Sequence, residues 1–357
     1  MNALPRMFAV LSGLLCVVTA MGADYAAVLP GTVLQFPRDH GSHPQFRTEW
    51  WYVTGWLRTV DGESLGFQIT YFRTRPDLAP GNPSAFAPTQ LIIAHAALSD
   101  ARQGRLWKDQ RIARAALGLA GASTDRMEVW LDRWRLEQRG AGMTANVTGG
   151  DFALALQLDP SQPPLLNGLK GCSQKGPAPR SASHYYSLPH LRVTGTITRQ
   201  GREQTVTGEA WLDHEWSSEY LDAQATGWDW TGINLADGGA LMLFRIRDAA
   251  GTNRWAGGTR RDASGKVHVF GPHEVAFTPG RRWRSPRTGT LYPVEWTVTA
   301  GDATFVLKPL LDDQENDARL STGAIYWEGA VTALQQGVIR GRGYLELTGY
   351  GEPLKLP

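Results

Sequence analysis

Between Gly208 and Leu235 the chain reads GEAWLDHEWSSEYLDAQATGWDWTGINL, and four of its 14 tryptophans lie there, around Asp213, His214, Glu215 and Asp229. Carboxyl groups two residues apart, beside large aromatic surfaces, suit general acid chemistry on an apolar molecule, because each discourages the other from ionising. Asp213, His214 and Glu215 are therefore the candidate catalytic residues. Trp216, Trp228, Asp229 and Trp230 are candidate substrate contacts, joined by Trp51 and by Tyr185 and Tyr186, whose hydroxyls could donate to a ligand. Tryptophans packed this way either form plain core or stabilise a developing cation with their rings.

A strand's period of two puts Trp211, Asp213 and Glu215 on one face and Leu212, His214 and Trp216 on the other. By the same rule Trp228 and Trp230 share a face, with Asp229 opposite. His95 sits in an apolar run and reads as a satisfied core histidine. Asp39, His40 and His43 fall in a lead-in segment without further ligands at a useful spacing, so no metal is expected. There is no phosphate loop, nucleophile elbow or dinucleotide fingerprint. The chemistry considered requires no cofactor.

Composition narrows the class. Hydrophobic residues make up 42% and charged residues 20% of the 357, as in globular proteins. A formal charge of +2 argues against a nucleic-acid partner. Arg6 followed by 17 uncharged residues, Met7 to Ala23, reads as an export signal cleaved after Gly22 or Ala23. An uncleaved anchor is the alternative, on a run short for a membrane span. Export implies a periplasmic or secreted protein, and Cys172 would then be its one thiol, with no internal disulfide. The sequence leaves the oligomeric state open.

The elements that must position these residues are strands. EWWYVTGWL (49–57) and SLGFQITYFR (64–73) flank the turn pair Asp61-Gly62, and LIIAHAALS (91–99) reads as a buried strand. Alternation continues through 126–138, 143–148 and 152–158. Only 111–119 suggests a short helix. Residues 159–183 form a long irregular insert. Strands are expected again around 191–198 and 204–211.

A weak internal repeat underlies the whole. WYVTG (51–55) matches WDWTG (228–232), each followed by Asp-Gly and then Phe-Arg, and GEAWLD (208–213) echoes GRGYLE (341–346). This alignment sets Glu346 against Asp213 and leaves His214, Glu215 and Trp216 unrepeated. Two tandem antiparallel barrels satisfy the pattern: a signal peptide (1–23), a lead-in (24–45), one barrel over 46–219 and another over 222–357.

Together EWWYVTGWL, YFRTR, AHAALSD, HYYSLP, GEAWLDHEW, GWDWTGINL, YWEGAV and GYLELTGY resemble the AttH family, which includes carotenoid 1,2-hydratases, from about Phe36 to Gly351. The resemblance implies an all-β fold of two lipocalin-like barrels. It also implies a lipophilic polyene or isoprenoid partner, hydration of a C=C bond, and possible peripheral contact with a membrane. The family's Asp-His element falls on Asp213, His214 and Trp216; at its second, Tyr-x-Asp-type element this chain carries Asp229 between tryptophans. On this reading an Asp213 or Glu215 acid protonates the alkene, the tryptophans steady the cation and His214 handles the water. A non-catalytic lipid carrier, or a hydrolase or pericyclase on the same fold, are the alternatives.

Overall fold

The computed structural model describes residues 25–76, 82–84 and 87–354. The expected signal peptide lies outside them. The described chain is built from β-strands; its one helical element is a three-residue turn at Arg38–His40. No helix among the described residues is long and apolar enough to cross a membrane.

Local chemistry explains the strand layout. Asp61-Gly62 makes the tight hairpin between Thr48–Thr59 and Ser64–Thr74, with Gly62 in the left-handed region at φ 85°. The helix expected at 111–119 does not form: Arg105–Arg114 is a strand, and Leu117 and Gly118 take φ of 55° and 72°, which end any regular element. The alternating run at 126–138 is two strands, Glu128–Leu131 and Trp134–Arg139, because Asp132 turns the chain at φ 54°. The insert at 159–183 is less irregular than expected. Its short strands Leu165–Leu166 and Cys172–Gln174 pair with Ala182–Arg199.

A 13-stranded antiparallel sheet contains every strand from Thr48 to Ser217, with Thr48–Thr59 between Ser64–Thr74 and Arg202–Ser217. Its ends, Arg105–Arg114 and Ala120–Ala122, come back beside one another, so the sheet nearly closes. A 10-stranded sheet begins at Gly227–Leu235, which lies between Ala240–Arg247 and Val338–Leu347, and curls so that Val275–Pro279 meets Ala240–Arg247. These are two tandem lipocalin-like barrels. Curling removes most free edges, the usual liability of long strands.

Three apolar cores result. One fills the first barrel, one fills the second, and a third lies between them. Tyr52, Trp56, Tyr185 and Trp211 from the first barrel meet Trp230, Phe244 and Tyr344 from the second in that third core. Fully burying one such side chain stabilises by roughly 1.5–3 kcal/mol. With several at the seam, the barrels pack as one unit.

Pairing also corrects the repeat. Glu49 stands opposite Arg73, and Asp229 opposite Arg245. Trp50 lies between Phe72 and Glu215, as Trp230 lies between Phe244 and Glu346. Trp230 is thus the counterpart of Trp50, and Glu346 the counterpart of Glu215 rather than of Asp213. The register suggested by the matched glycines would instead place Trp51 and Trp228 at equivalent positions, although they lie on opposite faces.

Each barrel interior holds a buried acid–arginine knot where its opening strand meets the next. Asp229 is fully buried; its Oδ2 accepts from Arg245 Nε at 2.5 Å and Arg247 Nε at 3.0 Å, and Oδ1 accepts from the Tyr350 hydroxyl at 2.8 Å. Replacing Asp229 with Ala strands two guanidinium groups and should cost roughly 3–5 kcal/mol, read as a lower urea midpoint at unchanged m-value. A loss below about 1 kcal/mol would show that the knot adds nothing.

Candidate functional site

The two faces of Arg202–Ser217 serve two different places. Asp213 and Glu215 point between the barrels and line a cavity with Trp228, Trp230 and Tyr185. His214 and Trp216 point into the first barrel, as do Trp51 and Tyr186. Asp229 points into the second barrel, in its knot with Arg245 and Arg247. The expected single site joining Asp213, His214 and Glu215 is therefore not formed. Neighbouring residues on one strand cannot face the same cavity.

The cavity lies at one end of the seam. Strands from both barrels supply its walls: Trp50, Tyr52, Phe72 and His95 from the first, Tyr326, Glu328 and Glu346 from the second, and Tyr220 from the connection. Its surface is mostly apolar, yet four carboxyl groups reach it, each in a different setting.

Asp213 is held by three donors: Ser187 Oγ at 2.5 Å and Trp211 Nε1 at 2.6 Å on Oδ1, and the Tyr185 hydroxyl at 2.7 Å on Oδ2. Burial nonetheless pushes it up to about 7. Glu215 pairs with the buried Lys175 ammonium at 2.9 Å and accepts from Ser183. Burial raises it and Lys175 opposes the rise. The ammonium also lies over the rings of Phe244, at 4.1 Å, Tyr185, at 4.8 Å, and Tyr220, at 5.2 Å.

Glu328 and Glu346 stand directly opposite each other on adjacent strands. Burial, and then the Glu346 carboxyl, push Glu328 well above the usual range. Glu346 rises to about 7, chiefly by burial and against the Trp228 indole N–H, which donates to its Oε2 at 3.0 Å. Glu328 Oε1 and the Tyr52 hydroxyl are buried and make no hydrogen bond of ordinary geometry, yet they lie close enough for the Tyr52 hydroxyl to favour the ionised form of Glu328. Buried groups with hydrogen-bonding capacity to spare mark places where a ligand or water is handled. His95 is satisfied, as expected: Nδ1 is 2.7 Å from the Tyr326 hydroxyl and Nε2 2.8 Å from Ser321 Oγ. Burial lowers it to about 3, so it is neutral.

The other cluster is a polar knot inside the first barrel. Glu49 accepts from Arg73 Nε at 2.7 Å, His214 Nε2 at 2.9 Å, and both His43 Nδ1 and the His43 backbone N–H. Burial alone would raise Glu49, but Arg73, His214 and His43 hold it well below its ordinary value. Burial would likewise depress His43, yet its bonds to Asp39 and Glu49 keep it raised, whereas burial wins at His214. His43 stacks on Trp216 at 3.7 Å and His214 on Trp51 at 4.7 Å. The Tyr186 hydroxyl lies 2.6 Å from His40 Nδ1 and 3.1 Å from His214 Nδ1.

One ligand atom from each of His43, Glu49 and His214 falls within 4.8 Å of the others, a grouping no sequence spacing reveals. Glu49 already accepts four donors, from Arg73, His214 and His43. The arrangement is that of a hydrogen-bonded knot tying the lead-in segment to the barrel.

Sequence reasoning misses Tyr52, Glu328 and Glu346 as site residues. The aromatic–acid pair Trp327-Glu328 and the echo at Glu346 are visible signals, but nothing local says which face they occupy.

Because Glu346 is raised from 4.5 to about 7, the folded protein keeps a proton across that window that the unfolded chain has released. Stability must then fall as pH rises from about 4.5 to 7, by about 1.4 kcal/mol per unit for one such group. Glu346→Gln should be more stable than the parent at pH 8, by about 3 kcal/mol in denaturant titrations, with the gap closing at pH 4.5. An equal gap at both pH values would contradict the assignment.

A family model for AttH-like proteins matches residues 27–350. An AttH-assigned protein from Nitrosomonas europaea is 52% identical, covering 91% of this chain and 99% of its own, with a TM-score of 0.86. Kievitone hydratase from Nectria haematococca shares the fold at 15% identity and TM-score 0.69, covering 93% of this chain and 98% of its own. CghA aligns at 11% identity and TM-score 0.51, over 93% of this chain and 97% of its own. No curated protein sequence matches the chain. With its model spanning nearly all the described residues, the chain belongs to the AttH-like family.

Proposed function

We propose that the inter-barrel cavity adds water across a C=C bond of a lipophilic molecule by acid catalysis. The observation that carries this reading is Glu328: a carboxyl set directly opposite Glu346, pushed well above the usual range by burial and by that neighbour, in the wall of an aromatic cavity. A carrier has no use for such a group, which is costly to bury. The kievitone hydratase that shares the fold lends the reading further support.

Glu328 O–H gives its proton to one alkene carbon, leaving a carbocation on the other. The faces of Trp50, Trp228 and Trp230 stabilise that charge. Water attacks the cation and loses a proton to the Glu346 carboxylate, yielding an alcohol. Transfer between the two opposed carboxyls then restores the starting state. Asp213 and Glu215 fit the donor role less well: three donors saturate Asp213, and Lys175 holds Glu215. The cavity encloses about 100 Å³, the order of an apolar cavity that takes up benzene. It suits one end of an isoprenoid, with the rest of the molecule outside. With the expected export signal, the reaction would take place outside the cytoplasm.

Incubating the protein with acyclic carotenoids or a lipid extract should yield a product heavier by one water, detected by mass spectrometry. The Glu328→Gln variant should lose about 10²–10⁴-fold in rate. The parent's rate should rise through about pH 7 as Glu346 ionises and fall once Glu328 does. Bound but unchanged ligand would favour the carrier, and full activity in Glu328→Gln would overturn the mechanism.

A further inference from the structure

At the other end of the same seam lies a second, larger groove of about 370 Å³. The period of two carries the inter-barrel face of Thr48–Thr59 onward from Trp50 and Tyr52 to Thr54, Trp56 and Arg58. Cross-strand partners share that face: Trp211 opposite Thr54, and Arg192 two strands away through Glu209. The second barrel adds Arg342.

Two independent features point to a ligand. The first is charge. Arg58, Arg192 and Arg342 are exposed around the groove. Arg192 approaches Asp159 only at 3.8 Å, and Arg58 and Arg342 have no ion-pair partner among the described residues. Arg342 instead lies over the Trp56 ring at 4.9 Å. Glu209, the one acid in the lining, is engaged by His190 Nδ1 at 2.6 Å. The second is an orphan: Thr54 is fully buried, and its hydroxyl in the groove wall has no hydrogen-bond partner. Between them, the rings of Trp56 and Trp211 give an apolar lining.

We infer that this groove binds an amphipathic organic anion, its carboxylate or phosphate held by Arg58, Arg192 and Arg342 and its apolar body laid along the Trp56–Trp211 wall. Guanidinium forks are suited to such oxyanions. The site is distinct from the carboxyl-lined cavity, where an anion would meet four acids. Only Trp211 joins them, since its indole N–H donates to Asp213 while its ring lines the groove.

Calorimetry with dodecanoate as probe tests the inference, using dodecanol and inorganic phosphate as controls. Dodecanoate should bind at micromolar concentration, at least tenfold more tightly than either control, and more weakly at high salt. The double variant Arg58→Ala/Arg342→Ala alters only exposed side chains of this groove and should bind dodecanoate at least tenfold more weakly. Its unchanged circular dichroism and unchanged dodecanol binding would show that the fold and the other cavity are intact. Absence of dodecanoate binding, equal binding of dodecanol or phosphate, or full affinity in the double variant would each overturn it.

Discussion

Two carboxyl groups set directly opposite each other in a buried sheet face cannot both be charged. Glu328 and Glu346 are in that position, on Ala324–Gln335 and Val338–Leu347, with the first barrel packed over them. In water such a pair would separate or ionise. Here the strand register fixes their spacing, the third core excludes solvent, and at least one proton has to stay. The remaining polar architecture of the cavity follows from that constraint. Lys175 supplies a cation to Glu215 but not to the pair, and the Trp228 N–H favours ionisation of Glu346 over Glu328.

The barrels themselves explain why the site sits at a seam. A barrel of this size fills its interior with side chains. Each barrel additionally buries an acid–arginine knot: Glu49 with Arg73, Asp229 with Arg245 and Arg247. Those acids are satisfied and spoken for. Between the barrels, by contrast, the facing sheets are curved and aromatic and do not mesh completely. Space remains at both ends: one end is lined by acids, the other is rimmed by arginines.

Much of this architecture is legible in the amino-acid sequence. Alternation marks the strands, the turn pairs mark the hairpins, and the period of two separates Asp213 and Glu215 from His214 and Trp216. A single mechanism drawn through both faces disregards that separation, and the barrel wall stands between them. The repeat is real, but its register is not the one that the glycines suggest. Gly55 and Gly232 sit where backbones and rings crowd together, so aligning on them tracks local crowding. The acid–arginine pairs mark the true equivalence, and only cross-strand partners reveal them. Likewise Lys175 reaches Glu215 from an insert whose path no periodicity encodes, and Glu328 gains its meaning from a neighbour 18 positions on.

The central question is whether Glu328 keeps its proton when solution carboxyls have lost theirs. Infrared difference spectroscopy of the parent against Glu328→Gln, recorded at pH 8, reads this directly through the protonated-carboxyl stretch. A neutral Glu328 predicts a protonated band in the parent that is missing from the variant. A parent spectrum containing only ionised carboxylates at that pH would contradict it.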